Sequence, residues 1–152
     1  MTALQFGEME PGLSYLDRPA AFGIVQEGQR IALVRVEKPG HPPWLDLPGG
    51  ALDPGEDAQQ AVVREFGEET GLRVSVGEAF GEAGQYFRKT DGQAVNNLAT
   101  FFTLGLEGIE PGLKIEDDHT LVWMDPEAAL VELRHDAHAW AVAAWLRLRP
   151  RA

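Results

Sequence analysis

Three glutamates, Glu65, Glu68 and Glu69, follow Arg64 in a stretch whose pattern predicts a helix from Asp57 to Thr70. On a helical wheel at roughly 100° per residue, Glu65 and Glu69 continue the apolar stripe and Glu68 lies at its edge. Carboxylates are rarely buried without a compensating charge, and residues three and four apart direct their side chains to one place. Because Mg²⁺ prefers oxygen ligands, this spacing is typical of a divalent-cation site.

The alternative is an amphipathic helix whose acidic residues form only a solvated charged face. The distribution of charge bears on this choice, since the chain has 13 Lys and Arg against 24 Asp and Glu, for a net charge of −11. Residues 50–72 hold six acids and one base, and Glu116, Asp117 and Asp118 add three more acids. The excess is therefore concentrated in two short stretches, as expected of a cation site rather than of a charged coat spread over the surface.

Composition also excludes several classes of protein. The absence of cysteine excludes a disulfide scaffold, a thiolate zinc site, an iron–sulfur cluster and a cysteine nucleophile. The acidic balance argues against nucleic-acid binding through bare backbone contacts, which need clusters of Lys and Arg. For a phosphate ligand, something other than the protein would have to supply much of the positive charge.

The stretch from Gly50 to Leu72 resembles the Nudix box, written G-x5-E-x7-R-E-U-x-E-E-x-G-U, in which U is a bulky apolar residue. All nine specified positions are met, at Gly50, Glu56, Arg64, Glu65, Phe66, Glu68, Glu69, Gly71 and Leu72. With about one-in-ten odds at each of seven exact positions, a chance match in this chain is on the order of one in a million. The match is strong over residues 47–72 and looser elsewhere.

The resemblance implies an α+β fold, a Nudix-type α/β/α sandwich with a mixed β-sheet, in which the box forms a loop–helix–loop. It implies a hydrolase that uses Mg²⁺ or Mn²⁺ to cleave the diphosphate bond of a nucleoside diphosphate linked to another group. Glu65, Glu68 and Glu69 would be metal ligands, and Gly50 would add its carbonyl oxygen. Glu65 is also a candidate general base. Arg64 would orient the glutamates, and Glu56 would support the cluster.

Residues outside the box are further candidates. Glu116 is the first choice for an additional metal ligand and Asp118 the second, with a solvated acidic loop as the alternative. His119 could move a proton at neutral pH, although a surface role is the alternative. Candidate substrate-binding residues, each of which could instead be a surface charge or a packing residue, are Arg18, Trp44, Tyr86 and Arg88, with Phe87 and Lys89 beside them.

The elements that must position these residues follow from alternation and turn signals. A hairpin is predicted from two strands, 20–26 and 30–37. Further extended segments are predicted at 44–47, 73–80, 85–89, 98–106 and 121–124, and Asn96-Asn97 is interpreted as a turn. Two more helices are predicted at about 126–131 and 136–148. The second has an apolar stripe of Ala137, Trp140, Ala141, Ala144, Trp145 and Leu148.

Length and resemblance together predict a single Nudix domain over residues 1–152. The N-terminus lacks a basic start and an apolar region, so we expect no signal peptide, no membrane span and a cytoplasmic location. The expected partner is a small nucleoside diphosphate derivative rather than nucleic acid, and both a monomer and a homodimer stay open. Nucleoside triphosphates, dinucleoside polyphosphates, ADP-ribose and nucleotide sugars are all open as substrates. A catalytically inactive Nudix-fold nucleotide-binding module is the alternative function.

Overall fold

The computed structural model describes residues 4–149 and contains eight strands and three α-helices in those residues. No helix among them is both long and apolar enough to cross a membrane. The strands and helices run in the order β1 Leu4–Phe6, β2 Leu16–Glu27, β3 Arg30–Val36, β4 Trp44–Asp46, β5 Gly49–Ala51, α1 Ala58–Thr70, β6 Leu72–Arg88, β7 Ala94–Ile109, β8 His119–Met124, α2 Pro126–Glu132 and α3 Asp136–Leu148.

The strands form a mixed sheet in two groups that the β2–β3 hairpin joins. The first group has the order β1-β6-β7-β2-β5, in which β1 pairs with β6 and β2 with β7 in parallel. The second group is antiparallel, with β3 between β4 and β8. Strands β2 and β3 pair only at their turn, through Gln26 with Ile31 and Glu27 with Arg30, so the predicted hairpin opens where the groups separate.

Helix α1 begins and ends as its sequence predicts. The Asp57 carboxylate accepts the Gln60 backbone N–H at 2.8 Å, and the Gln60 side chain accepts the Asp57 N–H at 3.0 Å, which is a reciprocal capping box. The helix stops at Gly71, whose φ of 75° lies in the left-handed region that glycine adopts at low cost. These caps fix the start and the end of the segment that carries the glutamates.

Helices α1 and α3 cover opposite sides of strand β2, because successive side chains of a strand point to opposite faces. Ala20, Phe22 and Ile24 pack with the face of α3 that buries Ala137, Ala141, Val142 and Trp145. The alternate residues Ala21 and Val25 pack with Ala61, Val62 and Phe66 of α1. The layered α+β fold with a mixed sheet is therefore confirmed.

Several details differ from the sequence-based predictions. Strands 73–80 and 85–89 are one strand, β6, which stays continuous because bulges near Val76 and Ala79 absorb the irregular register. Asn96 and Asn97 are not a turn: both are buried inside β7. The predicted stripe of α3 is shifted, since Leu148 is 64% exposed and His138 and Val142 lie on the buried face.

Candidate active site

The last two turns of α1 bring Glu65 and Glu69 against the glycines of β5. Glu69 is only 5% exposed, and its Oε1 accepts the Gly49 backbone N–H at 3.0 Å. A Cβ added to Gly50 would lie 2.9 Å from Glu65 Oε1, so a larger residue there would displace the carboxylate. The lack of a side chain at Gly50 thus permits the close approach of the β5 backbone to the Glu65 carboxylate.

Arg64 joins three of the box carboxylates. Its Nε and Nη2 donate to the two oxygens of Glu56 at 2.8 and 2.9 Å, and its Nη1 donates to Glu65 at 3.0 Å and Glu68 at 3.1 Å. The hydrogen bond from Arg64 lowers the pKa of Glu56 below its usual value. One guanidinium thus contacts three carboxylates of the box.

Glu69 makes no ion pair with a Lys or Arg among residues 4–149. Burial raises the pKa of Glu69 well above its usual value, and the nearby charge of Glu65 raises it further. Burial also raises the pKa of Glu65, although Arg64 opposes that change. The closest basic group to Glu69 is His119, whose Nε2 lies 3.4 Å from Glu69 Oε2. The cluster therefore has more buried negative charge than the surrounding side chains neutralise.

The segment before β8 brings a further acid to this cluster. The backbone N–H groups of Ile115 and Glu116 both donate to the Glu68 carbonyl at 3.0 Å, which fixes this segment to the last turn of α1. The charge of Glu116 contributes to the raised pKa of both Glu65 and Glu69. Ligand atoms of Glu116, Asp118 and His119 lie within 4.8 Å of one another.

Asp118 is held differently from Glu116. Its two oxygens contact Lys38 Nζ and His119 Nδ1, the latter at 2.7 Å, and the Lys38 contact lowers the pKa of Asp118 to about 2. Asp118 is thus already neutralised by a cation, whereas Glu116 is not paired with any basic side chain in residues 4–149. This difference favours Glu116 over Asp118 as the acid available to a metal.

A cavity of about 270 Å³ opens next to the glutamates. Gly49, Gly50, Glu69 and His119 form part of its lining, and both strand groups and the start of α3 supply the rest. The side chains of that remainder include Arg18, Phe22, Trp44, Asp46, Phe87, Lys89, Asn97, Arg134, His135 and His138.

The candidate substrate residues separate into two groups. Arg18 and Trp44 line the cavity, as does Phe87. Tyr86 lies on the opposite face of β6 from Phe87, with its ring 5.2 Å from that of Tyr15. Arg88 is exposed and lies 3.7 Å from Glu10. Tyr86 and Arg88 are therefore outside the cavity lining.

Sequence reasoning missed Asp46, Asn97, Arg134 and His138. The Arg134 guanidinium donates to both oxygens of Asp46 at 3.2 and 2.9 Å and lies 4.2 Å from the Trp44 ring centre. Asp46 and Arg134 are 88 positions apart in sequence. No local signal could have paired these residues.

A family comparison identifies the chain. The model of the NUDIX domain matches residues 16–146, which include every element that builds the site. The chain belongs to the Nudix family. A relative from Bacillus subtilis (strain 168), whose name refers to an 8-oxo-dGTP diphosphatase, is 37% identical over 99 residues, covering 59% of this chain and 63% of the relative. The CTP pyrophosphohydrolase of Escherichia coli (strain K12) is 28% identical over 107 residues, covering 70% of this chain and 74% of the relative.

Solved Nudix structures share the fold. A NUDIX hydrolase from Nitrosomonas europaea superposes with a TM-score of 0.73 at 20% identity, covering 86% of this chain and 89% of that one. Identity at this level shows the fold alone. Three curated relatives are matched over 63%, 34% and 30% of their own lengths, so this Nudix chain spans less than two thirds of each of them.

Proposed function

We propose that this Nudix chain acts as a single domain that hydrolyses a diphosphate bond in a nucleoside diphosphate derivative, with Mg²⁺ or Mn²⁺. The observation that carries the proposal is the partly buried, incompletely neutralised cluster of Glu65, Glu68 and Glu69, of which Glu69 is buried and lines a cavity. Relatives whose names assign them diphosphatase or pyrophosphatase activity support the class of reaction.

The residues present suit a hard divalent cation. Glu65, Glu68, Glu69 and Glu116 carry carboxylate oxygens, and Gly50, whose Cα faces the Glu65 carboxylate, is our candidate for a backbone carbonyl ligand. Burial raises the pKa of Glu65 and Glu69, so a positive charge between them would stabilise their ionised forms. When bound, such a cation neutralises phosphate oxygens and makes a neighbouring water more acidic.

The side chains of this chain would then position the substrate and remove a proton from the attacking water. Hydrolysis adds water across the P–O–P bridge: the water oxygen bonds to one phosphorus, and that phosphorus loses its bond to the bridging oxygen, which leaves on the second phosphate. Glu65 is our candidate for accepting the proton of the water, and Arg64 holds Glu65 in place through the 3.0 Å contact. Glu56 acts indirectly, by fixing Arg64 with two hydrogen bonds.

Arg18 is suited to hold a phosphate of the substrate. Its Nε donates to Asn97 Oδ1 at 2.8 Å, while Nη1 and Nη2 have no acceptor in residues 4–149. Burial lowers the pKa of Arg18, and the charge of Glu65 opposes that change, so Arg18 stays cationic close to the cluster. An unpaired guanidinium edge in the lining of the cavity can form two parallel hydrogen bonds with phosphate oxygens.

The test is a hydrolysis screen with Mg²⁺ and Mn²⁺ against nucleoside triphosphates, ADP-ribose, nucleotide sugars and dinucleoside polyphosphates. We expect the wild type to hydrolyse at least one of these substrate classes. The turnover rate should fall by about 10³-fold in Glu69→Gln, a decrease typical of removing a main electrostatic group. The Gln side chain can still accept the Gly49 N–H, so the variant should unfold at no lower urea concentration than the wild type.

Two results would contradict the proposal. Full activity of Glu69→Gln would exclude the metal role of this carboxylate. Tight binding of a nucleotide without turnover of any substrate class would instead support the nucleotide-binding module.

A further inference from the structure

Asn97 is a buried amide whose orientation is fixed by its partner. It is 4% exposed, and its Oδ1 accepts Arg18 Nε at 2.8 Å. Arginine has only donors, so the amide oxygen must face Arg18. The Nδ2 group therefore faces away from Arg18 and has no acceptor in residues 4–149.

His138 is fixed in the same way. It is 2% exposed, and its Nδ1 accepts the Leu47 backbone N–H at 3.1 Å. Burial lowers the pKa of His138 to about 4, so the ring is neutral at pH 7. Since Nδ1 is the acceptor, the proton lies on Nε2, which is then a donor without an acceptor among the residues that the structure describes.

Both nitrogens can be reached from the cavity. In residues 4–149, the one side-chain polar atom that is fully buried and unpartnered is His135 Nε2. The Asn97 and His138 nitrogens are thus in contact with accessible space, and both residues line the cavity. A bound ligand can therefore satisfy them.

The nearby acceptor is already occupied. The Asp46 carboxylate accepts Trp44 Nε1 at 3.0 Å as well as the two hydrogen bonds from Arg134. Arg134 Nη1 keeps its own hydrogens without an acceptor in the described chain. The unpartnered groups of Asn97, Arg134 and His138 are donors, so a ligand that meets these three side chains presents acceptors.

The side chains of Trp44, Phe87 and Arg134 in the cavity lining suit a planar group. The Arg134 guanidinium lies 4.2 Å from the Trp44 ring centre and 5.4 Å from the Phe87 ring centre. Aromatic and guanidinium planes are the surfaces on which nucleobases stack. We call Trp44, Phe87, Asn97, Arg134 and His138 the base pocket.

We propose that the base pocket binds the nucleobase of the substrate and prefers bases that carry a carbonyl where adenine and cytosine carry an amino group. The inference rests on the proposed function for the position of the phosphates. A carbonyl oxygen accepts from the free N–H groups, whereas an amino group placed there leaves donors facing donors, with both sides unsatisfied. The polar groups of the pocket thus favour bases with a carbonyl at this position and disfavour bases with an amino group there.

The first test compares inosine and adenosine nucleotides, which have the same sugar and phosphates. They differ on the six-membered ring of the base, where inosine carries a carbonyl and adenosine an amino group. Nuclear magnetic resonance titration of ¹⁵N-labelled wild-type protein, without metal, gives dissociation constants for the two monophosphates and reports on the Asn97 side-chain amide and the Trp44 indole. We expect inosine monophosphate to bind at least tenfold more tightly, which corresponds to about 1.4 kcal/mol. Equal constants, a preference for adenosine monophosphate, or no shift with either nucleotide would overturn the inference.

Variants then test the residues. Asn97→Asp keeps the oxygen that accepts Arg18 Nε and replaces the free N–H₂ with an acceptor, so the preference should fall to near or below one. Asn96→Asp is the matched control, because Asn96 lies on the opposite face of β7, bonded to Gln5 and Asp17, and the preference should persist. His138→Asn keeps an acceptor for the Leu47 N–H and takes the donor away from the position of Nε2, because the shorter amide does not reach it. This second variant should also lower the preference.

A parallel assay separates this inference from the proposed function. Comparison of kcat/KM for the two triphosphates with Mg²⁺ should show the same preference of at least tenfold. Equal hydrolysis of both triphosphates contradicts the base preference and leaves the hydrolase intact. Selective binding of inosine monophosphate without hydrolysis of any substrate supports the base pocket and contradicts the hydrolase.

Discussion

Helices α1 and α3 are each 13 residues long and cover opposite sides of the sheet, but they bury different chemistry. The buried face of α3 consists of Ala137, Ala141, Val142 and Trp145 around one neutral histidine. The buried face of α1 begins with apolar residues and ends with Glu69, which is 5% exposed. Burying an ionised carboxylate opposes folding, whereas burying Trp145 favours it. Helix α3 therefore buries mainly apolar groups that favour folding, whereas α1 buries a carboxylate that opposes folding as well as apolar groups.

The largest test of this comparison is on α3. Trp145→Ala removes a large side chain that is 6% exposed and leaves a cavity in the core that α3 shares with β2. We expect the free energy of unfolding to fall by about 4 kcal/mol, measured by urea denaturation. Leu148→Ala, at an exposed position of the same helix, is the control and should change it by less than about 0.5 kcal/mol. Equal effects of the two variants would show that α3 does not supply core stability.

The second test removes the cation of the α1 cluster. Arg64→Ala deprives Glu56, Glu65 and Glu68 of their shared partner and leaves carboxylates uncompensated. The free energy of unfolding without metal should fall by about 2–3 kcal/mol, since the cluster is only partly buried. Added Mg²⁺ should restore part of the loss, because an ion that binds only the native state stabilises it. The free energy of unfolding of Arg64→Lys should lie between those of the wild type and Arg64→Ala, because lysine cannot bridge three carboxylates. An Arg64→Ala protein as stable as the wild type would contradict the role assigned to Arg64.

A smaller effect concerns the histidine on α3. Burial lowers the pKa of His138 to about 4 from its ordinary 6.5, so between these values the unfolded chain binds the extra proton and the folded chain does not. The stabilising contribution of this neutral ring is present above pH 6.5 and is lost as the pH falls toward 4. Between pH 7 and pH 5 the loss amounts to about 2 kcal/mol. The other titrating groups are common to the wild type and His138→Asn, so their contributions cancel in the difference between the two free energies of unfolding. As the pH falls from 7 to 5, the wild type should lose about 2 kcal/mol relative to His138→Asn. A difference independent of pH would contradict the buried neutral histidine.

Features of the fold that depend on neighbouring residues could be predicted from the sequence, whereas contacts between distant residues could not. Helix α1, its caps and the glutamate spacing are local patterns, so they could be read from consecutive residues. Asn96 and Asn97 were misread because Asn favours turns. In the fold, their amides bond to Gln5, Asp17 and Arg18 on other strands. The contact of Asp46 with Arg134 likewise depends on the packing of β4 against the loop before α3, where Arg134 N–H donates to the Leu45 carbonyl at 2.9 Å. Distant pairings of this kind have no periodic signal.

Calorimetric titration of Mn²⁺ into the wild type and into Glu69→Gln measures whether the carboxylates of α1 bind a divalent cation. Glu82→Gln, an exposed carboxylate on β6, is the control. We predict that Glu69→Gln weakens Mn²⁺ binding by at least about tenfold, or about 1.4 kcal/mol, whereas Glu82→Gln leaves the affinity unchanged. Equal affinity of the wild type and Glu69→Gln for Mn²⁺ would contradict the assignment.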